Sequence, residues 1–184
     1  MYQDVWRSAL SDLDDLYKEV ILDHYRAPRN RGKLEGAEVH LHRDNPLCGD
    51  EIDLYVDIVD GKVAGVGFEG KGCSISQASI SMMTEKLKGL STGDAQALAG
   101  VFKQMMLGED PQDEESLGDL VALKGVQKYP VRIKCALLGW NTFLDGLKAY
   151  SERQDGAQRG AGGLAAAQTY DSGAPEAANP PNQP

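Results

Sequence analysis

Apolar residues recur along this chain with changing periods, and the changes mark its elements. Over 11–26, Leu13, Leu16, Tyr17, Val20, Ile21 and Tyr25 fall at three- and four-residue steps, which predicts an amphipathic helix. Ser11 suits its N-cap, Asp14 and Asp15 suit the positive end of its dipole, and Pro28 follows its end. His24 lies near its negative end, where a partly protonated imidazole is favoured. The period then drops to two. Val39 and Leu41 alternate with His40 and His42 over 38–43, and Ile52, Leu54, Val56 and Ile58 alternate with Glu51, Asp53, Tyr55 and Asp57. Asp60-Gly61 is a hairpin turn signal, and 63–69 returns as a strand with Ala64, Val66 and Phe68 on one face.

From residue 74 onward the helical period resumes. One helix is expected over 74–87, stopping at Gly89. A second, capped by Ser91 or Thr92, carries Leu98, Phe102, Met105 and Met106 and stops at Gly108. An acidic loop follows over 108–116, then a short helix over 117–126. Pro130 opens a last helix running to about Tyr150. Strands in one block and helices in another predict an α+β fold: a three-stranded antiparallel meander packed against four to five helices. The Met82-Met83 and Met105-Met106 pairs read as core filler. In the last segment, 151–184, Gly, Ala and Pro make up half the residues, and Leu164 and Tyr170 are its only large apolar side chains. Such a segment buries too little surface to offset its ordering entropy, so it is expected to be a disordered tail. Residues 1–10 form an N-terminal extension, and 11–150 the folded domain.

Charge and composition narrow the class. A net charge of −9 speaks against nucleic acid as a partner. No apolar run approaches the roughly 20 residues of a membrane helix, and no secretory pattern opens the chain. Three cysteines are an odd count for a disulfide framework, so a reducing, cytoplasmic setting is expected, where cysteine clusters more often mean metal or catalysis.

Those cysteines carry the candidate chemistry. Cys48 stands in Pro46-Leu47-Cys48-Gly49-Asp50, Cys73 in Gly70-Lys71-Gly72-Cys73-Ser74, and Cys135 just inside the last helix after Arg132-Ile133-Lys134. A single free cysteine is most often a small buried hydrophobe. All three, however, are expected at element ends, with a carboxylate two residues from the first, and three sulfurs plus Asp50 suit a four-coordinate zinc site. Arg132 and Lys134 are either auxiliary cations beside an anionic site or plain solvated side chains. His40 and His42 share a strand face and have chelating spacing, but a solvated face is the expectation. The acidic loop 109–115 is either solvated charge or a steering patch for a basic partner.

Four segments in order resemble the IscU/NifU-type iron–sulfur assembly family: 16–30, ending Asp23-His24-Tyr25-Arg26-Ala27-Pro28-Arg29-Asn30; Asn45-Pro46-Leu47-Cys48-Gly49-Asp50; Gly70-Lys71-Gly72-Cys73-Ser74-Ile75-Ser76; and Pro130-Val131-Arg132-Ile133-Lys134-Cys135. The resemblance spans about 11–150. Scaffolds of that family carry histidine directly before the third cysteine, where this chain has Lys134, and a two-proline chaperone motif, where it has Pro130 alone. The interval of 62 positions from Cys73 to Cys135 is also longer, which implies an insertion at about 108–128. These departures resemble the SufU branch. The resemblance implies zinc held by Cys48, Asp50, Cys73 and Cys135. It implies that Cys48 accepts persulfide sulfur from a SufS-type cysteine desulfurase and passes it towards a SufBCD-type scaffold. The alternatives are a scaffold that builds a [2Fe–2S] cluster from iron and sulfide on the same ligands, and a non-enzymatic zinc-stabilised adaptor.

Overall fold

The computed structural model describes residues 18–159. Helix α1 occupies 18–26 of the expected first helix; its predicted cap and the apolar residues up to Tyr17 lie outside the described residues, as do 160–184 of the expected tail. Three strands follow: β1 (Val39–Asn45), β2 (Asp50–Val59) and β3 (Lys62–Lys71), antiparallel in the order β1-β2-β3. The Asp60-Gly61 turn has positive φ at both residues (50° and 72°), the geometry of a two-residue hairpin whose twist matches its strands.

One strand expectation is corrected. Ala64 does not share the inward face; Val63 takes that place, fully buried. The register shows why. Asp57 pairs with Gly65 and Ile58 with Val63, so Ala64 is an extra residue in a β-bulge, and the alternation slips by one beyond it.

The helices cover one face of the sheet. They are α2 (Ser74–Leu87), α3 (Thr92–Met106), a 3₁₀ segment (Glu114–Lys128) and α4 (Pro130–Arg159). Ser91 is the N-cap of α3, accepting the Asp94 N–H at 3.0 Å. The short helix expected over 117–126 is instead 3₁₀ from Glu114, in two pieces broken at Gly118, whose φ of 53° no right-handed helix accommodates. The last helix also runs nine residues past Tyr150, so 151–159 of the expected disordered tail are helical instead. Among the described residues no helix is long and apolar enough to cross a membrane.

The core fills the space between the sheet and α2, α3 and α4. Ile52, Leu54, Phe68, Ile80, Phe102, Trp140 and Phe143 are buried within it, and Phe102 stacks on Trp140 at 4.6 Å. The methionine pairs are buried there too, as expected. A polar seam locks α2 to α4: the Ser79 hydroxyl donates to the Ala136 carbonyl at 2.7 Å and accepts from Trp140 Nε1 at 3.2 Å. The seam fixes the N-terminal halves of both helices relative to each other, and each of those halves carries one of the cysteines.

A second expectation fails at His24. It is no partly protonated partner of the helix end: it is 4 % exposed, with Nδ1 2.9 Å from the Ser81 hydroxyl on α2. Burial, and then the Arg29 charge, hold its pKa below the ordinary value, so the ring is neutral.

Candidate metal centre

The centre is assembled at one end of the sheet. Asn45 closes β1 and pairs in register with Asp50, which opens β2. The four residues between must reverse the chain. The Asn45 carbonyl accepts the N–H of Cys48 (3.1 Å) and of Gly49 (2.8 Å), and its side-chain Oδ1 accepts the Leu47 N–H at 3.2 Å. Gly49 has φ of 68°, a region its neighbours with a Cβ rarely adopt. The turn is therefore pinned at both ends, and Cys48 is carried at its tip. The Asn45 amide also donates to Cys48 Sγ at 3.5 Å.

Asp50 points inward and is only 2 % exposed. Its Oδ1 accepts the Cys73 N–H at 2.9 Å, and its Oδ2 lies 3.8 Å from Cys73 Sγ. Room for the carboxylate comes from Gly72: a Cβ there would sit 2.8 Å from Oδ1 and 2.4 Å from the Ser76 hydroxyl. Cys73 is the N-cap of α2, its sulfur accepting the Ser76 N–H at 3.4 Å. Cys135 lies in the second turn of α4, 1 % exposed, with Sγ 2.8 Å from Cys48 Sγ.

Three of the four predicted donors thus meet at one place, with the fourth beside them. Ligand atoms of Cys48, Asp50 and Cys135 lie within 4.8 Å of one another, and this is the only such trio of metal-binding residue types among the described residues. Cys73 stands at its rim, in contact through Asp50. Arg132 and Lys134 do not join them: both are exposed and make no ion pair among the described residues. Hence three sulfurs and a buried carboxylate converge without a basic partner. The Cys135 thiol shows the consequence. Burial raises its pKa far above the usual thiol range, and hydrogen bonding to Cys48 and Asp50, then the nearby charges, raise it further. Like-charged donors packed this closely suit a divalent cation, and three thiolates with one carboxylate match zinc in number and type.

The family described as NifU-like N terminal domain matches residues 16–136. The chain belongs to that family. Members of known name are close. The chain is 45% identical over 137 residues to the zinc-dependent sulfurtransferase SufU of Bacillus subtilis strain 168, covering 74% of this chain and 92% of that protein. To the iron–sulfur cluster assembly scaffold protein IscU of Streptococcus pyogenes it is 41% identical over 146 residues, 79% of this chain and 91% of the relative. Among solved structures, a putative iron–sulfur cluster assembly scaffold protein for the SUF system from Fervidobacterium islandicum superposes with a TM-score of 0.67 at 38% identity, covering 70% of this chain and 94% of that one. The N-terminal NifU-like protein of Brucella abortus does so with 0.70 at 25% identity, over 77% and 98%. The resemblance read from the four segments, and the α+β meander with its helices, are both borne out.

One residue of this family's turn carries a role that the pattern of cysteines did not announce. Asn45 serves as acceptor for the turn and as donor to Cys48. The signal was present: an asparagine before proline at a strand end is a turn initiator whose side chain bonds the backbone two residues on.

Proposed function

We propose that this chain is a zinc-dependent sulfur carrier of iron–sulfur cluster assembly, working in the cytoplasm with a SufS-type cysteine desulfurase and a SufBCD-type scaffold downstream. Cys48, Asp50, Cys73 and Cys135 would hold the zinc. Bound there, zinc would keep the thiols as thiolates at neutral pH. The observation that carries the reading is the convergence of Cys48, Asp50 and Cys135 with Cys73 beside them, in a chain whose most similar named relatives include a zinc-dependent sulfurtransferase.

Cys48 is the acceptor: it is part-exposed at the tip of a turn, whereas Cys135 is buried and Cys73, also part-exposed, is tied to the start of α2 as its N-cap. Its thiolate attacks the outer sulfur of the desulfurase persulfide. A new S–S bond forms at Cys48, the old one breaks, and the desulfurase cysteine leaves as thiolate, so no external oxidant or reductant is needed. The exposed Leu47, Tyr129 and Val131 lie beside Cys48 or at the start of α4, where a docking partner would cover them. Asp50 is the most labile donor of the four and the one that eases opening of the site; Arg132, three residues before Cys135, is the cation that would pair with it then.

Zinc content and desulfurase stimulation, measured on the wild type and on alanine variants at the four positions, test the reading. Cys48→Ala should abolish stimulation. Asp50→Ala should retain zinc at least as firmly and transfer sulfur poorly. Full stimulation by Cys48→Ala would overturn the proposal. The relatives named IscU favour a second reading, assembly of a [2Fe–2S] cluster on the same thiolates. Under it, protein reconstituted with iron and sulfide turns brown and keeps cluster in preference to zinc.

A further inference from the structure

The open face of the sheet, away from the helices, groups further metal-binding side chains, spaced more widely than those of the cysteine centre. His40 and His42 lie two apart on β1 and so point the same way. Asp53 on β2 pairs in register with His42, and its carboxylate lies between both rings: Oδ1 is 3.0 Å from His40 Nε2 and Oδ2 is 3.2 Å from His42 Nδ1. The rings are half exposed, at 53% and 54%, so a solute ion reaches them freely. His40 is stacked on Tyr55 at 4.5 Å, which fixes that ring, while His42 is tied only by its contact with Asp53 among the described residues.

Hydrogen bonding alone leaves one feature unexplained. Across the sheet, Asp53 faces Glu69 of β3 directly in register, and like charges so placed destabilise a sheet. Glu69 is held only by the Tyr55 hydroxyl at 3.3 Å, and neither acid has a lysine or arginine partner among the described residues. Burial opposes ionisation of Asp53, yet the two histidine hydrogen bonds outweigh it and keep the group anionic. The face therefore offers two imidazoles, one carboxylate beside them and an uncompensated negative charge behind.

We propose that His40, His42 and Asp53 form a second, solvent-facing site for a divalent first-row transition-metal ion, with Glu69 balancing its charge. Two imidazoles from one strand and a carboxylate from the next supply three ligands, and water completes four. Imidazole nitrogen selects zinc, nickel or cobalt over calcium and magnesium. In the structure the two rings flank the carboxylate on opposite oxygens; rotation of the exposed His42 side chain brings its nitrogen round to the ion.

Zinc titrated into the full chain, with bound metal counted after equilibrium dialysis, should give two equivalents per chain. His40→Ala, His42→Ala and Asp53→Asn should each weaken one equivalent by about tenfold or more and leave the other and desulfurase stimulation intact. Cys48→Ser should do the reverse. Cobalt bound at the histidine site should show visible d–d bands without sulfur-to-metal charge transfer. The proposal is overturned if His42→Ala binds as many equivalents with the same affinity as the wild type, or if only the cysteine-dependent equivalent binds below about 1 mM. Should the cysteine centre itself hold no zinc, one equivalent remains, and the histidine variants alone decide whether it sits here.

Discussion

The strand pair β1–β2 presents two sets of metal-binding side chains within a few residues of each other, and they differ in almost everything but neighbourhood. At its end, Cys48, Asp50 and Cys135 are drawn together under α2 and α4, with Asp50 and Cys135 all but sealed from water. Along its middle, His40, Asp53 and His42 stand half in solvent on the bare face. Burial accounts for the contrast. In the sealed cluster burial first, and then the neighbouring donors, hold the pKa of Cys135 above its ordinary value, so a cation is worth a great deal there. On the open face water screens the same repulsion, and a cation is worth little beyond its own binding.

The largest effect should therefore come from metal removal. Zinc bound only to the folded chain stabilises it by about 4 kcal/mol when free zinc is a thousandfold over Kd, whereas at a free concentration equal to Kd the gain is about 0.4 kcal/mol. Stripping the wild type with a chelator should lower its melting temperature steeply, and His40→Ala should leave that drop unchanged. A chelator-insensitive melting temperature would break the comparison.

Next in size is Gly72→Ala. The added methyl has nowhere to go, because the Asp50 carboxylate and the Ser76 hydroxyl already occupy its place. Overpacking costs about 1–3 kcal/mol with zinc and without it, and the displaced carboxylate should impair sulfur transfer rather than zinc retention. Thermal unfolding reads the first loss and desulfurase stimulation the second. A melting temperature equal to that of the wild type would mean that the cradle at Gly72 relaxes around the methyl.

Asn45 divides the turn from the sulfur. Asn45→Ala removes both the acceptor for Leu47 and the donor to Cys48, and should cost about 1 kcal/mol. Asn45→Asp keeps the acceptor, so its stability should stay near wild type while sulfur transfer falls through loss of the donor. Equal transfer by Asn45→Asp and the wild type would reduce Asn45 to a turn residue.

Much of this was legible in the residues themselves. The three strands, the hairpin at Asp60-Gly61 and the helices ending at Gly89 and Gly108 follow from period and punctuation, which are local. The candidate donors were legible because Cys48 and Cys73 each stand beside glycine at an element end and Cys135 lies just inside a helix start. What escaped was non-local. The bulge at Ala64 is a property of two strands in register. The 3₁₀ form of the segment from Glu114 to Lys128 depends on the break at Gly118 and on packing against α3, not on its apolar spacing. Burial of His24 depends on α2 lying across it.

His24 gives the mildest prediction, and it extends the contrast between sealed and open groups to a third histidine. Its pKa is pushed below the ordinary 6.5 first by burial and then by Arg29, while Glu85 and Asp23 pull the other way without prevailing. In the unfolded chain the ring takes up a proton near its ordinary pKa, whereas the folded protein refuses that proton until lower pH. Between the two values the unfolded state binds more protons, so stability rises with pH through that window. The contribution is fully present above the unfolded pKa and is lost as pH falls below it. Melting temperatures recorded from pH 7.5 down to about 5 should decline more steeply in the wild type than in His24→Gln, which keeps a partner for Ser81 without the titrating ring. Parallel profiles for the two proteins would show that the proton is accommodated, and that this histidine is less sealed than its contacts suggest.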